Sequence, residues 1–381
     1  MSLTRLRLGY LPLTDAAPLI VAAELGFAAE EGLAFDLVAL QSWAQSRDML
    51  GLGAVDAAQM LVPLPIAQTL GLGPAYPPFD LLMVLSVGGE AIAVSARLAE
   101  GLRARGHGFA LNDPAAARTA LAAVAGPEMT VGVPFPFSTH TELVWRWWEG
   151  GETGVRLTIC TVPPPRMAEA LSEGEVDAFC VGEPWASHAV ERGAGTLLLA
   201  GRAIWAAPPE KGLVVTREFS TRRPDETGRL MRAVWRACRW LDMPGNRATA
   251  AEILSRPAYL DLPPELVERG LMDRLHVSAA GEVRRFPGFI RFHDGAANFP
   301  ARSLAAGFAR RIARQHGLEV EAAMQAATGC FRPDLYRQHL RAVGAELPAD
   351  SAPTARPQGE LILPADAAVD GETPAPPFTA R

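Results

Sequence analysis

The sequence predicts an α/β protein built as two similar α/β lobes around a cleft, with additional helices in its C-terminal part. Three observations predict it. Strand and helix patterns alternate along the first half of the chain, one local plan occurs twice, and after Val215 the apolar residues recur at helical spacing.

Leu6–Leu11 reads as a strand, followed by a turn at Pro12–Asp15 and a helical stretch from Ala16 to Glu31 broken at Gly26. Phe35–Leu40 is a second strand, and Ser42 caps a helix from Trp43 to Leu52. Val55–Met60, Leu64–Leu70, Leu81–Ser86 and Ala91–Ser95 continue the alternation, which is the mark of a parallel α/β layer. The middle of the chain repeats this plan with strands at Thr130–Val133, Arg156–Val162 and Ala178–Val181. Its helices fall at Ser138–Glu149, near Met167–Glu173 and after Pro184. The stretch from Gly53 to Pro63 aligns with Gly174 to Pro184, sharing G-x-V-D-A and a proline at the same offset, so two related lobes are the economical reading.

Later helices are expected at Pro224–Asp242, Asn246–Leu254, Pro264–Leu271, Ser303–His316, Val320–Ala327 and Pro333–Val343. Leu347–Arg381 is rich in Pro, Ala, Asp and Glu without a helical period and reads as a flexible tail, apart from the short apolar Leu361–Leu363. The expected division is residues 1–87 for the first part of lobe 1, 88–205 for lobe 2, 206–346 for a return to lobe 1 with the C-terminal helices, and 347–381 for the tail.

Composition narrows the function. With 381 residues, 49% hydrophobic and 20% charged, the chain can bury a sizeable core in each of two domains. A net charge of −6 supplies no basic surface for direct nucleic-acid binding. The four cysteines, Cys160, Cys180, Cys238 and Cys330, lack C-x-x-C spacing and read as structural thiols. No apolar run of about 20 residues is free of charge or proline, so no membrane span is expected. The N-terminal Met1–Leu13 has no signal-peptide pattern, which leads to an expected cytoplasmic location.

Catalytic and cofactor motifs have spacings that their chemistry requires. No G-x-S-x-G elbow, phosphate loop, H-E-x-x-H or dinucleotide G-x-G-x-x-G is present, so neither a metal nor a cofactor is expected. Ser138 near His140 lacks a specified acid or oxyanion partner, and no catalytic residue is assigned. Trp145, Trp147 and Trp148 cannot all face one core by spacing, so one or two are expected to face the other lobe or the helical region. Trp43 stands at the first position of a helix facing the cleft, where its indole N–H either donates to a small ligand or lies in a buried wall. Of the 36 basic residues one is a lysine, Lys211, among arginines, and a compact ammonium kept in that background invites a special role.

Several segments together resemble the nitrate- and bicarbonate-binding branch of type II solute-binding proteins. They are Gly9–Pro18, Ser42–Asp48 (S-W-A-x-x-R-D), Val133–His140, Val162–Met167 and Phe179–Trp185, spread over roughly the first two-thirds of the chain. The resemblance implies a type II periplasmic-binding-protein-like fold, with Trp43, His140 and Lys211 lining an anion pocket. Lys211, in Pro209-Glu210-Lys211-Gly212, stands where bicarbonate binders of the branch carry an acid, which argues for nitrate or nitrite. One departure concerns Glu90, near the place where the nitrate binders put a glutamine. A carboxylate there repels an anion unless it is protonated, turned away or paired with Lys211, which keeps bicarbonate or another small ligand open.

The members of this branch without an export signal resemble the NasS-type nitrate/nitrite sensors. The implied function is therefore a cytoplasmic sensor that closes on nitrate or nitrite and thereby controls an RNA-binding antiterminator of the NasT type. The alternatives are the substrate-binding component of a nitrate/nitrite or bicarbonate ABC transporter, and an enzyme on the same fold, as the thiamine-precursor synthases are. The ligand is a planar or bent oxyanion with several acceptors, so donors around its rim and one positive charge suffice, and no bond need be broken.

Overall fold

The structure, a computed structural model, describes residues 3–348. The expected flexible tail and the Leu361–Leu363 triplet therefore lie, almost whole, outside the described residues. Two sheets organise the molecule. The chain lays down β1 (Thr4–Tyr10), β2 (Leu33–Ala39), β3 (Ala57–Leu61) and β4 (Phe79–Gly88) in the first sheet. It then builds a second sheet from β5 (Glu90–Ser95), β6 (Glu128–Val133), β7 (Arg156–Thr161), β8 (Ala178–Gly182) and β9 (Gly195–Ala200). β10 (Pro209–Thr216) returns to the first sheet, a small hairpin of β11 (Arg274–His276) and β12 (Val283–Arg285) stands apart, and β13 (Ile290–Arg291) joins the first sheet at its edge. The resulting orders are β13-β4-β10-β3-β1-β2 and β7-β6-β8-β5-β9.

The expectation of parallel layers is corrected here, because both sheets are mixed. β1 runs parallel to β2 and β3, and β6 parallel to β7 and β8, as strand-helix-strand connections require. β4 and β5, by contrast, are consecutive strands joined across Gly88–Gly89, and no helix reverses the chain between them. Both glycines have positive φ, 72° and 94°, and a Cβ at Gly88 would sit 2.4 Å from the Phe289 carbonyl oxygen. That left-handed corner passes the chain directly from one sheet to the other. β5 consequently runs antiparallel to β8 and β9, and β10 antiparallel to β3 and β4.

The internal repeat is a structural one. Asp56 accepts a hydrogen bond from the Arg7 amide at 2.8 Å and returns its own amide to the Arg7 carbonyl, and Asp177 does the same with Thr130 at 3.0 Å. The strands that follow pair in equivalent registers, Leu8 with Ala57 and Val131 with Ala178. In each copy the shared aspartate thus fixes where the second strand starts against the first.

Helices cover the sheets and fill the C-terminal part. Arg223 precedes the long helix Pro224–Leu241, whose Leu230, Met231, Val234 and Trp235 are buried. Trp145, Trp147 and Trp148 are all buried. Trp147 and Trp148 donate their indole N–H groups to the Pro114 and Val155 carbonyls of the same lobe, so polar tips that spacing could not satisfy find local backbone partners.

Contacts between the lobes close around the ends of the strands. The Thr14 amide donates to the Glu183 carbonyl at 2.8 Å, Trp185 Nε1 to the Pro12 carbonyl at 2.9 Å, and Thr139 Oγ1 to the Pro209 carbonyl at 2.6 Å. On the rim, helix Arg302–His316 packs on helix Pro63–Thr69, and its Arg311 pairs with Glu142 at 2.8 Å and Glu149 at 2.9 Å on helix Thr139–Glu149.

Candidate binding site

Lys211 lies inside this junction with no exposed surface. Its strand, β10, is irregular on both sides of it: Pro209 pairs with Val87 and Lys211 with Ser86, but Gly212 pairs with Val84. On a regular strand the side chains of Glu210 and Lys211 would point to opposite faces. The bulged register re-aims them, and the Lys211 ammonium contacts the Glu210 carboxylate directly.

The other partners of Lys211 come from the strand and helix ends of the first sheet. Asp15, in the single turn Thr14–Ala16 after β1, places Oδ2 2.8 Å from Lys211 Nζ. Asp15 is held in turn by Gln59 of β3, whose Nε2 donates to Oδ1 at 2.6 Å while its Oε1 accepts from the Leu11 amide at 2.9 Å. Trp43 opens helix Trp43–Gly51, which Ser42 caps by accepting from the Gln45 amide, and its ring centroid lies 5.0 Å from the ammonium.

The second sheet contributes the opposite wall. His140 is the second residue of helix Thr139–Glu149, capped by Ser138, and is fully buried. Its Nε2 is 3.3 Å from Glu210 Oε1 but out of line for a hydrogen bond, and Nδ1 has no partner. Glu90 opens β5 opposite Gly182 of β8, fully buried, with both carboxylate oxygens unpartnered. Gly201 makes room for it, since a Cβ there would lie 2.7 Å from Glu90 Cγ.

The sequence-predicted residues Trp43, His140, Lys211 and Glu90 are therefore brought together. Glu90 lies directly across from Gly182, where a Cβ would stand 3.7 Å from Asp15 Oδ2 and 3.8 Å from His140 Nε2, so it shares the face of the cluster, yet it is not hydrogen-bonded to Lys211, whose two bonded N–H groups go to Asp15 and Glu210. Asp15, Gln59 and Glu210 were not anticipated as members of the cluster. The repeat alignment pairs Gln59 with Cys180, itself read as a structural thiol, and so gave no signal for it.

Burial and charge set the protonation states. Burial raises Asp15 to about 6, against the pull of Lys211. Burial, with the charge of Glu210 added, holds Glu90 well above the usual carboxyl range, and burial also raises Glu210. Burial opposes the charge of Lys211, yet Asp15 and Glu210 together keep its pKa above the ordinary value. His140 is pushed well below its usual value by burial first and Lys211 second. At neutral pH the site thus holds a charged ammonium and a neutral imidazole, with Glu90 shifted toward its protonated form.

Chemically, the cluster offers hydrogen bonds and charge. The indole N–H of Trp43 and the ring of His140 have no protein partner, and Lys211 retains a third N–H beyond its two carboxylates. Cys180 is held as a thiol by burial, and the Ser138 hydroxyl is engaged by Thr141, so neither is poised as a nucleophile. Among the described residues no group of three or more His, Cys, Asp or Glu side chains has the arrangement of a metal site, and no helix is long and apolar enough to cross a membrane.

Comparison with known proteins agrees with this architecture. Residues 2–255 match the NMT1-like family. The chain is 31% identical over 345 residues to the nitrate import ATP-binding protein NrtC of Synechocystis, covering 89% of this chain and 50% of that one, so it spans about half of that relative's length. It is 30% identical over 353 residues to the nitrate/nitrite binding protein NrtA of Synechococcus elongatus, covering 89% and 78% of the two. To the bicarbonate-binding protein CmpA of the same organism it is 28% identical over 376 residues, covering 93% and 81%. The crystal structure of the periplasmic nitrate-binding protein NrtA from Synechocystis superposes with a TM-score of 0.78 at 27% identity, covering 93% of this chain and 92% of that one. The two-lobe periplasmic-binding-protein-like fold is the shared architecture.

Proposed function

On the premise that the chain belongs to the NMT1-like family, we propose that it is a solute-binding protein whose cleft closes on a small oxyanion, nitrate or nitrite, as the binding component of an ABC-type importer. The observation that carries this reading is the division of the unpartnered donors between lobes. Trp43 and Lys211 stand on elements of the first sheet and His140 on the second, so one small anion satisfies donors from both sides only when the cleft is closed. Closure then follows from the ligand's greater affinity for the closed state. The likeness to nitrate/nitrite and bicarbonate-binding proteins over most of the chain supports the ligand class.

The NasS-type sensor is the second reading. It uses the same cleft, places the chain in the cytoplasm, and has closure change the hold on an RNA-binding antiterminator of the NasT type. The names of the relatives favour the receptor. Calorimetry of the purified chain with nitrate, nitrite and bicarbonate tests the ligand, and heat from nitrate or nitrite that vanishes in His140→Ala is the expected result. No binding of any of the three ions sinks the reading. A pull-down with the antiterminator, with and without nitrate, separates sensor from receptor: ligand-dependent capture establishes the sensor.

A further inference from the structure

The cluster contains three carboxylates and one ammonium, and the ammonium is already committed to two of them. Lys211 contacts Asp15 and Glu210, and Asp15 also accepts from Gln59. Glu90 is left over. It is buried completely, neither oxygen receives a hydrogen bond, and it packs against Gly201, where a Cβ would lie 2.7 Å from its Cγ. An ionised carboxylate without donors in such a place is strongly disfavoured. It also repels an anion held by Trp43, His140 and Lys211. A single proton at Glu90 removes both costs.

We propose that Glu90 and the bound oxyanion share one proton: Glu90 donates its own O–H to an ion that has only acceptors, and accepts from an ion that brings an O–H of its own. This rests on the oxyanion reading above and goes beyond it, because it assigns the proton. Nitrate draws on the Glu90 proton. Bicarbonate supplies the proton itself and displaces the one on Glu90. The same residue therefore reads whether the ligand carries a donor, which charge alone cannot do.

The groups facing Glu90 leave a clear window in which to observe this. Asp15, raised to about 6, is ionised above neutral pH, and His140 is already neutral. Lys211 and Cys180 both keep their protons into the alkaline range. Arg202, on the turn that carries Gly201, donates to the Ala206 and Gly288 carbonyls. A proton exchanged above the range of Asp15 belongs to the Glu90–Glu210 pair, both raised by burial, with Glu210 the member bound to Lys211.

The test is calorimetry of the full chain with nitrate and with bicarbonate, from about pH 6 to about pH 9, on the wild type and on Glu90→Gln. Wild-type nitrate affinity is expected to fall toward a limit of about tenfold per pH unit once Glu90 loses its proton. Bicarbonate affinity is expected to rise relative to nitrate over the same range. In Glu90→Gln, whose amide needs no proton to donate, the nitrate profile is expected to be flat and close to the wild-type value at the acid end. A flat wild-type nitrate profile, or a slope that survives in Glu90→Gln, overturns the assignment while nitrate binding itself stands. No binding of either ion at any pH overturns the oxyanion reading and this inference together. The wild-type profile is informative even without the variant.

Discussion

Replacing Lys211 with methionine removes the charge on which the cluster depends while keeping an unbranched side chain of similar length. Lys211 is fully buried, 2.8 Å from Asp15 and in contact with Glu210, so its loss leaves buried carboxylates without their cation. Breaking a buried pair in this way costs about 3–5 kcal/mol where the remaining partners are ionised. The carboxyl pKa values rise further in the variant, above their unfolded values. A raised folded-state pKa contributes stability that is present at low pH and is lost as pH rises through it. Asp15 is already at about 6 with Lys211 in place, so the variant is expected to melt far below the wild type at about pH 8 and much closer to it at about pH 5. Nitrate loses a charge-assisted hydrogen bond of about 1.5–3 kcal/mol, a weakening of roughly tenfold to somewhat over a hundredfold. Thermal denaturation at the two pH values and calorimetry with nitrate measure both effects. An equal melting gap at both pH values, or undiminished nitrate affinity, would refute the reasoning.

Three other outcomes follow from the same geometry. Trp43→Phe keeps a ring beside the Lys211 ammonium but removes the unpartnered indole N–H, so nitrate should bind about fivefold more weakly, near 1 kcal/mol, and the smaller ring in a fully buried place should lower the melting temperature of the ligand-free protein as well. Gly201→Ala puts a Cβ 2.7 Å from Glu90 Cγ and should cost about 1–3 kcal/mol in denaturant titration, a loss that combining it with Glu90→Ala should largely relieve. In the wild type, Asp15 is raised from 3.8 to about 6 and Glu183 from 4.5 to about 7, both by burial. Stability without ligand should therefore fall from about pH 4 to about pH 8, by on the order of 3 kcal/mol for each group, as followed by urea unfolding across pH.

What was legible in the sequence is what local chemistry marks. Ser42 and Ser138 cap the helices that carry Trp43 and His140, Gly26 breaks the first helix, and the repeated G-x-V-D-A sets equivalent strand registers in both sheets. Strand direction was not legible, because an antiparallel β10 and a direct β4–β5 passage depend on where the chain goes next rather than on apolar alternation. The composition singled out Lys211, yet nothing local showed that Glu210 would share its site, since only the bulged register of β10 brings adjacent side chains to one place. Asp15 and Gln59 escaped for a related reason: a turn aspartate and a strand glutamine become cluster members only when the sheets meet. Glu90 was legible as a residue at odds with an anion, and the structure supplies its context, a buried carboxyl without a donor.

The central claim is that an oxyanion sits among Trp43, His140, Glu90 and Lys211, held by both lobes. A crystal structure of the chain grown with nitrate tests it most directly. The account predicts nitrate oxygens within hydrogen-bonding distance of Lys211 Nζ, Trp43 Nε1 and a His140 ring nitrogen, with Glu90 facing the ion. Nitrate bound elsewhere, with Lys211 still holding Asp15 and Glu210 and no ion beside it, would contradict it.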